Sequence, residues 1–93
     1  MANLSIEEII RQVETICRYR QVGHLYLFGS YATGEQTAAS DIDFVVKGCQ
    51  DISGLRIEVE QIPTLKKIDI FDYDGCKNKF LKEDMDRYGK QIY

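Results

Sequence analysis

Little in this chain of 93 residues would staple, export or embed it. It has three cysteines, Cys17, Cys49 and Cys76, an odd and widely spaced set with no Cys-x-x-Cys pair and a single histidine beside them. Neither a disulfide framework nor a zinc site follows from such a pattern, and reduced thiols predict a cytoplasmic protein. Tryptophan is absent and Pro63 is the only proline. No apolar run approaches the roughly 20 residues needed to cross a bilayer. Met1-Ala2-Asn3-Leu4-Ser5 lacks the basic region and apolar stretch of an export leader, so no membrane association is expected. Basic residues are also in deficit, 12 against 15 acidic, for a net charge of −3. Nucleic-acid binding by counterion release needs a broad basic surface, so a free-standing polymerase is disfavoured. Lys66 with Lys67, and Arg18 with Arg20, read as solvated clusters.

What is present alternates between helix and strand periods. Ser5-Ile6-Glu7-Glu8 is a capping-box start, and Ile6, Ile9, Ile10, Val13, Ile16 and Cys17 fall on one helical face. A first strand is predicted from His24 to Phe28, then a Gly-Ser turn into a short helix, a polar loop from Glu35 to Ser40, and a second strand from Asp41 to Lys47. Asp51 or Ser53 caps a helix through Glu60, Pro63 stops it, and Lys67 to Phe71 form a third strand. Asp74 is placed at the start of a last helix, with Phe80, Leu81, Met85 and Tyr88 facing inward. The expectation is one domain over residues 1–93. Its class is α/β in two layers, with a mixed sheet of three or four strands and helices over one face. A domain this small is marginal alone and has reason to lean on a partner.

The chemistry is concentrated in Gly29-Ser30-Tyr31-Ala32-Thr33-Gly34 and in Ser40-Asp41-Ile42-Asp43-Phe44-Val45-Val46. The first is a strand-to-helix turn of the kind whose backbone N–H groups attract anions. In the second, Asp41 and Asp43 leave the same face of a strand and can share divalent cations. Asp43 sits among apolar strand residues, where a charge is costly unless a cation or donor compensates it. Hard oxygen ligands favour magnesium, or manganese, over zinc. A third carboxylate is available from Asp69 or Asp72. His24, Tyr19, Tyr26, Tyr73, Tyr88 and Tyr93 read as structural. Tyr31, beside the turn, is the one tyrosine placed to stack on a nucleotide.

Gly-Ser, ten intervening residues, then Asp-x-Asp resembles the nucleotidyltransferase superfamily that includes DNA polymerase beta, in its minimal form. Lys67-Ile68-Asp69-Ile70-Phe71 looks like the family's later strand with its third carboxylate, and the ending Tyr88 to Tyr93 looks like the usual tail. The resemblance implies catalytic and metal-binding roles for Asp41, Asp43 and Asp69. Asp69 eases attack by the acceptor hydroxyl, and Asp72 is left as a strand-end surface residue. It also implies nucleotide-binding roles for Gly29, Ser30 and Tyr31. The chain departs from a common family pattern at Tyr31 and Thr33, where members often carry Arg or Lys.

The reaction so implied is Mg2+-dependent transfer of a nucleoside monophosphate, AMP from ATP, to a hydroxyl. Minimal domains of this kind commonly pair with a small helical HEPN protein as antitoxin of a toxin–antitoxin system, some adenylylating that partner. Two other readings are a binding-only antitoxin that masks its partner, and the catalytic subunit of a small-molecule, antibiotic-type nucleotidyltransferase.

Overall fold

The computed structural model describes residues 4–93, so the leader reading on Met1, Ala2 and Asn3 lies outside the described residues. The Ser5 half of the expected capping box forms. Ser5 accepts from the Glu8 N–H at 3.2 Å and starts α1, Ile6–Tyr19, which buries Ile9, Val13 and Cys17 at four-residue spacing. The chain then runs β1 (His24–Phe28), α2 (Ser30–Thr33), β2 (Ile42–Lys47), α3 (Ile52–Glu60), β3 (Ile68–Asp72), α4 (Lys79–Tyr88) and β4 (Lys90–Gln91). Asp51 caps α3 by accepting from the Gly54 N–H at 3.0 Å.

These strands form one mixed sheet in the order β3-β2-β1-β4. β2 lies antiparallel to β1 and parallel to β3, and the short β4 pairs with the outer side of β1. The family-like tail therefore becomes a fourth strand, anchored further by bonds between Ile92 N–H and the Leu25 carbonyl, 2.8 Å, and between Tyr93 Oη and the Val22 carbonyl, 2.8 Å.

Alternation along the strands separates two faces. Leu25 and Leu27 of β1 with Ile42, Phe44 and Val46 of β2 join Ile9, Val13 and Cys17 of α1 and Leu55 and Val59 of α3 in one apolar core. The α/β class and the mixed sheet are thus what the sequence pattern predicts, with α1 and α3 over one face; the expectation that all helices share that face is corrected by α4. α4 lies on the other side, where its buried Met85 lines a small cavity with Val45, Tyr26 and Lys47.

Three further expectations shift. Strands β2 and β3 begin one residue later than predicted, at Ile42 and Ile68. The last helix begins at Lys79, with Asn78 accepting from the N–H groups of Phe80 and Leu81. Asp74 instead accepts from the Gly48 N–H at 2.7 Å and ties the β3 exit to the end of β2. Phe80 and Tyr88, expected to face inward, are 78% and 48% exposed, because the sheet face that α4 meets is the narrow strip at Val45 and not the main core.

Candidate active site

The centre of the sheet brings the singled-out residues to one end. Asp43, one residue into β2, is opposite Phe28 at the end of β1 and beside Asp69 of β3. Gly29 follows Phe28 directly, so the turn, Asp43 and Asp69 occupy three adjacent strands at the same level. Gly29 has φ of 67° and ψ of −150°, backbone that side-chain-bearing residues rarely adopt. A Cβ built there would also overlap the Asp43 carboxylate. Glycine is required at this position twice over, for conformation and for space.

α2 begins at Ser30 and is a single turn, with the N–H groups of Ala32 and Thr33 bonded back to the Gly29 carbonyl. A first helical turn leaves its leading N–H groups without intrahelical acceptors. At α2 these belong to Ser30 and Tyr31.

The carboxylates are crowded. Asp43 is half-buried, and its acid dissociation is pushed from 3.8 up to about 6. Burial is the largest cause, followed by the charges of Asp69 and Asp41 and a side-chain hydrogen bond to Asp69, with the Lys67 ammonium opposing. Lys67 Nζ stands 3.8 Å from Asp69 Oδ1, an ion pair with its lysine largely exposed and hence weak. Asp41 is exposed, one residue ahead of β2 and on the Asp43 side of the strand.

Among the described residues, no three His, Cys, Asp or Glu side chains already stand close enough to hold an ion. The donor set nonetheless fits a hard divalent cation. It is all oxygen, its one neighbouring cation is the largely exposed Lys67, and the charge of Asp43 is disfavoured by burial and by the nearby Asp69 and Asp41, which a cation would relieve. Asp41, exposed and on the same side of the strand, would be the third member of the set.

Asp72 answers the competition for the third carboxylate. It pairs in register with Val46, three residues beyond Asp69 on β3, and so points to the opposite face from Asp43. The expectation of a plain surface residue is corrected, since its Oδ1 is buried without a hydrogen-bond partner.

Beside the turn lies an open cleft of about 450 Å³. Phe28, Gly29, Ser30, Thr33 and Glu35 form one wall, and Asp84 and Tyr88 of α4 the other. Thr33 Oγ1 donates to Glu35 Oε1 at 2.9 Å, holding that carboxylate at the cleft. Tyr31 is not among the lining residues. Its ring packs on the core, with the Lys66 ammonium 5.7 Å from its centroid. The residues that sequence reasoning missed are Phe28, Glu35, Lys67, Asp84 and Tyr88. For Asp84 and Tyr88 the available signal was their four-residue spacing on one helix stripe. For Lys67 it was adjacency to the third carboxylate's strand.

Comparison with known proteins gives this geometry a family. Residues 7–93 match the family described as Polymerase beta, Nucleotidyltransferase. The chain is 33% identical over 92 residues to the putative protein adenylyltransferase MJ0435 of Methanocaldococcus jannaschii, covering 89% of this chain and 98% of that protein. It is 49% identical over 43 residues to the putative protein adenylyltransferase MJ1379 of the same organism, covering 45% of this chain and 43% of that protein.

Among solved structures, a chain of a toxin–antitoxin crystallised with AMP-PNP superposes with a TM-score of 0.72 at 27% identity, over 89% of this chain and 71% of that one. A chain of a mutant of the toxin–antitoxin MntA-HpeT shares the fold, with a TM-score of 0.69 at 23% identity over 89% of this chain and 70% of that one. With a family match over almost its whole length and the Gly-Ser turn packed against paired carboxylates, the chain belongs to the polymerase-beta nucleotidyltransferase family.

Proposed function

We propose that this protein moves AMP from ATP, with Mg2+ or in its place Mn2+, to a hydroxyl on a partner protein. We further propose that it is the antitoxin of a toxin–antitoxin pair whose toxin is a helical protein of the HEPN type. The observation that carries the catalytic part is the register of Asp43 with Asp69 and the close approach of Gly29 to Asp43. The partner part is supported by the protein adenylyltransferase and toxin–antitoxin likenesses.

In this reading Asp41, Asp43 and Asp69 hold the metal, which when bound offsets phosphate charge and polarises the α-phosphate. Gly29 lets backbone approach the triphosphate, and Ser30 donates its hydroxyl and N–H to phosphate oxygens. Phe28 and Tyr88 offer apolar surface for the base within the cleft. Tyr31 supports the turn through its backbone N–H and its packing. Asp69 accepts the proton of the acceptor hydroxyl as its oxygen bonds to the α-phosphorus and pyrophosphate leaves. Positioning and charge neutralisation supply most of the rate.

The cleft walls favour a second reading on one point. They carry Glu35 and Asp84 and no Arg or Lys, and Tyr31 and Thr33 stand where basic residues are common. A protein that only masks its partner would have this look. The test is to incubate the purified protein with α-labelled ATP and Mg2+ in an extract of cells that carry it, beside Asp43→Asn. A labelled protein band present only with the unsubstituted chain is the expected result. No label while a partner still co-purifies would favour masking, and label on a small molecule would favour the antibiotic-type transferase.

A further inference from the structure

The α4 wall of the cleft continues beyond the cleft. Asp84 and Tyr88 line it, and Phe80, four residues before Asp84, lies on the same stripe of the helix. The adjacent side of α4 turns inward through Leu81 and Met85, toward Phe71 and Ile52. Phe80 is 78% exposed and Tyr88 48%, so an aromatic strip runs from inside the cleft onto open surface. Exposed aromatic area next to a polar rim marks a contact surface.

The two charged residues that line the cleft, Asp84 and Glu35, are both acidic, and Arg87 flanks the strip at its far end, 6.0 Å from the Tyr88 ring centroid. Asp84 lies between the two rings, Glu83 is its exposed neighbour, and Glu35 faces them across the opening. The other route to the carboxylates, strand addition along the edge of β3, is obstructed. Arg56 Nε and Nη2 donate to the Ile70 carbonyl there at 3.2 and 2.8 Å.

We propose that the Phe80–Asp84–Tyr88 strip docks a basic, hydroxyl-bearing segment of the acceptor polypeptide across the mouth of the cleft. The inference rests on the reading of the chain as a protein-directed nucleotidyltransferase and supplies that reading's acceptor side. Apolar side chains of the segment cover Phe80, and its Lys or Arg residues meet Asp84 and Glu35. A nucleotide in the cleft still leaves Phe80 uncovered, one turn of helix away from Asp84.

The test selects binders to the immobilised full chain from a randomised dodecamer peptide library. Selected peptides are then measured by fluorescence anisotropy without nucleotide, against the unsubstituted chain and Phe80→Ala, with thermal melts confirming that the exposed substitution leaves the fold intact. Enrichment of Lys, Arg and apolar residues is expected. Binding should weaken about tenfold or more in Phe80→Ala, and as much when the peptides' basic residues are changed to Glu. Absence of enrichment, indifference to charge reversal, or unchanged binding to Phe80→Ala would overturn the proposal. So would self-association of the chain that Phe80→Ala abolishes, which would assign the strip to a second copy. Because binding is read without ATP, a failure of transfer counts against the proposed reaction and leaves the docking surface standing.

Discussion

The two faces of β2 are made from one run of sequence and do opposite things. Ile42, Phe44 and Val46 have no exposure at all and pack between α1 and α3. Asp43, Val45 and Lys47 point the other way, and two of these three carry charge. Lys47 is accommodated by stacking its ammonium 4.2 Å from the Tyr73 ring centroid and 5.0 Å from that of Tyr26. Asp43 is accommodated less well, because burial and the charges of Asp69 and Asp41 outweigh the opposing Lys67 ammonium. A period of two lets one strand segregate groups that stabilise the fold from groups that cost stability and carry the chemistry. The comparison predicts that substitutions on one face change stability, and on the other change activity.

The sharpest break comes from adjacent residues. Asp43→Asn should lower the transfer rate about a thousandfold or more, several kcal/mol of lost metal-assisted charge neutralisation, while raising the melting temperature. Labelled-AMP transfer and a thermal melt on the same sample read both, and full transfer by the variant would remove Asp43 from the site. Phe44→Ala, one residue on, should destabilise by about 3–5 kcal/mol through the cavity it leaves. For a domain whose whole stability is of order 5–15 kcal/mol, urea unfolding should show a large loss or no folded baseline. Activity per folded molecule should stay close to normal, since Phe44 faces the helices.

Much of this was legible before the fold was seen, for physical reasons that differ by element. α1 announced itself through a local capping box and a four-residue apolar stripe, and β1 and β2 through period two. The convergence of Gly29, Asp43 and Asp69 was expected from the Gly-Ser turn ahead of Asp-x-Asp and from carboxylates set within apolar strands, with the family resemblance favouring Asp69 over Asp72. The start of α4 was not, because Asp74 and Asn78 are both good caps. What decides between them is a bond from Asp74 to Gly48, 26 residues away. β4 is two residues long and exists only because β1 offers an edge. The exposure of Phe80 and Tyr88 was misjudged because a helix with one fully buried residue, Met85, has no apolar face in the usual sense. The cleft joins α2 to α4 across about 50 residues of chain, and no local pattern encodes that.

A middle-sized effect tests the place where the two faces are coupled. Gly29→Ala places a side chain on backbone with φ of 67° and against the Asp43 carboxylate. The strain costs about 1–3 kcal/mol, and relief requires Asp43 to move. The expected outcome is a lowered urea midpoint together with loss of transfer, whereas Gly34→Ala, with nothing within 4 Å of its added Cβ, should show the left-handed backbone cost and keep activity. Equal activity in both variants would mean that the Gly29–Asp43 approach is packing alone.

The smallest effect is a pH dependence confined to the charged face. Asp43 is pushed from 3.8 in the unfolded chain to about 6 in the folded one, by burial first and by Asp69 and Asp41 next. Between those values the folded state holds a proton that the unfolded state has released, so stability contributed by this group is full below about pH 4. It falls as pH rises through 4 to 6 and is flat above. Because the carboxyl keeps an open side to solvent, the fall is discounted to about 1 kcal/mol. Urea midpoints measured in chelator across this window should decline in the native chain, less so in Asp43→Asn, and alike in the native chain and a Lys90→Gln control on the far side of the sheet. A native profile that rises from pH 4 to 6, or one that Asp43→Asn leaves unaltered, would show that the crowding of Asp43 and Asp69 is relaxed in solution. The segregation of cost onto one face of β2 would then fail as the account of this strand.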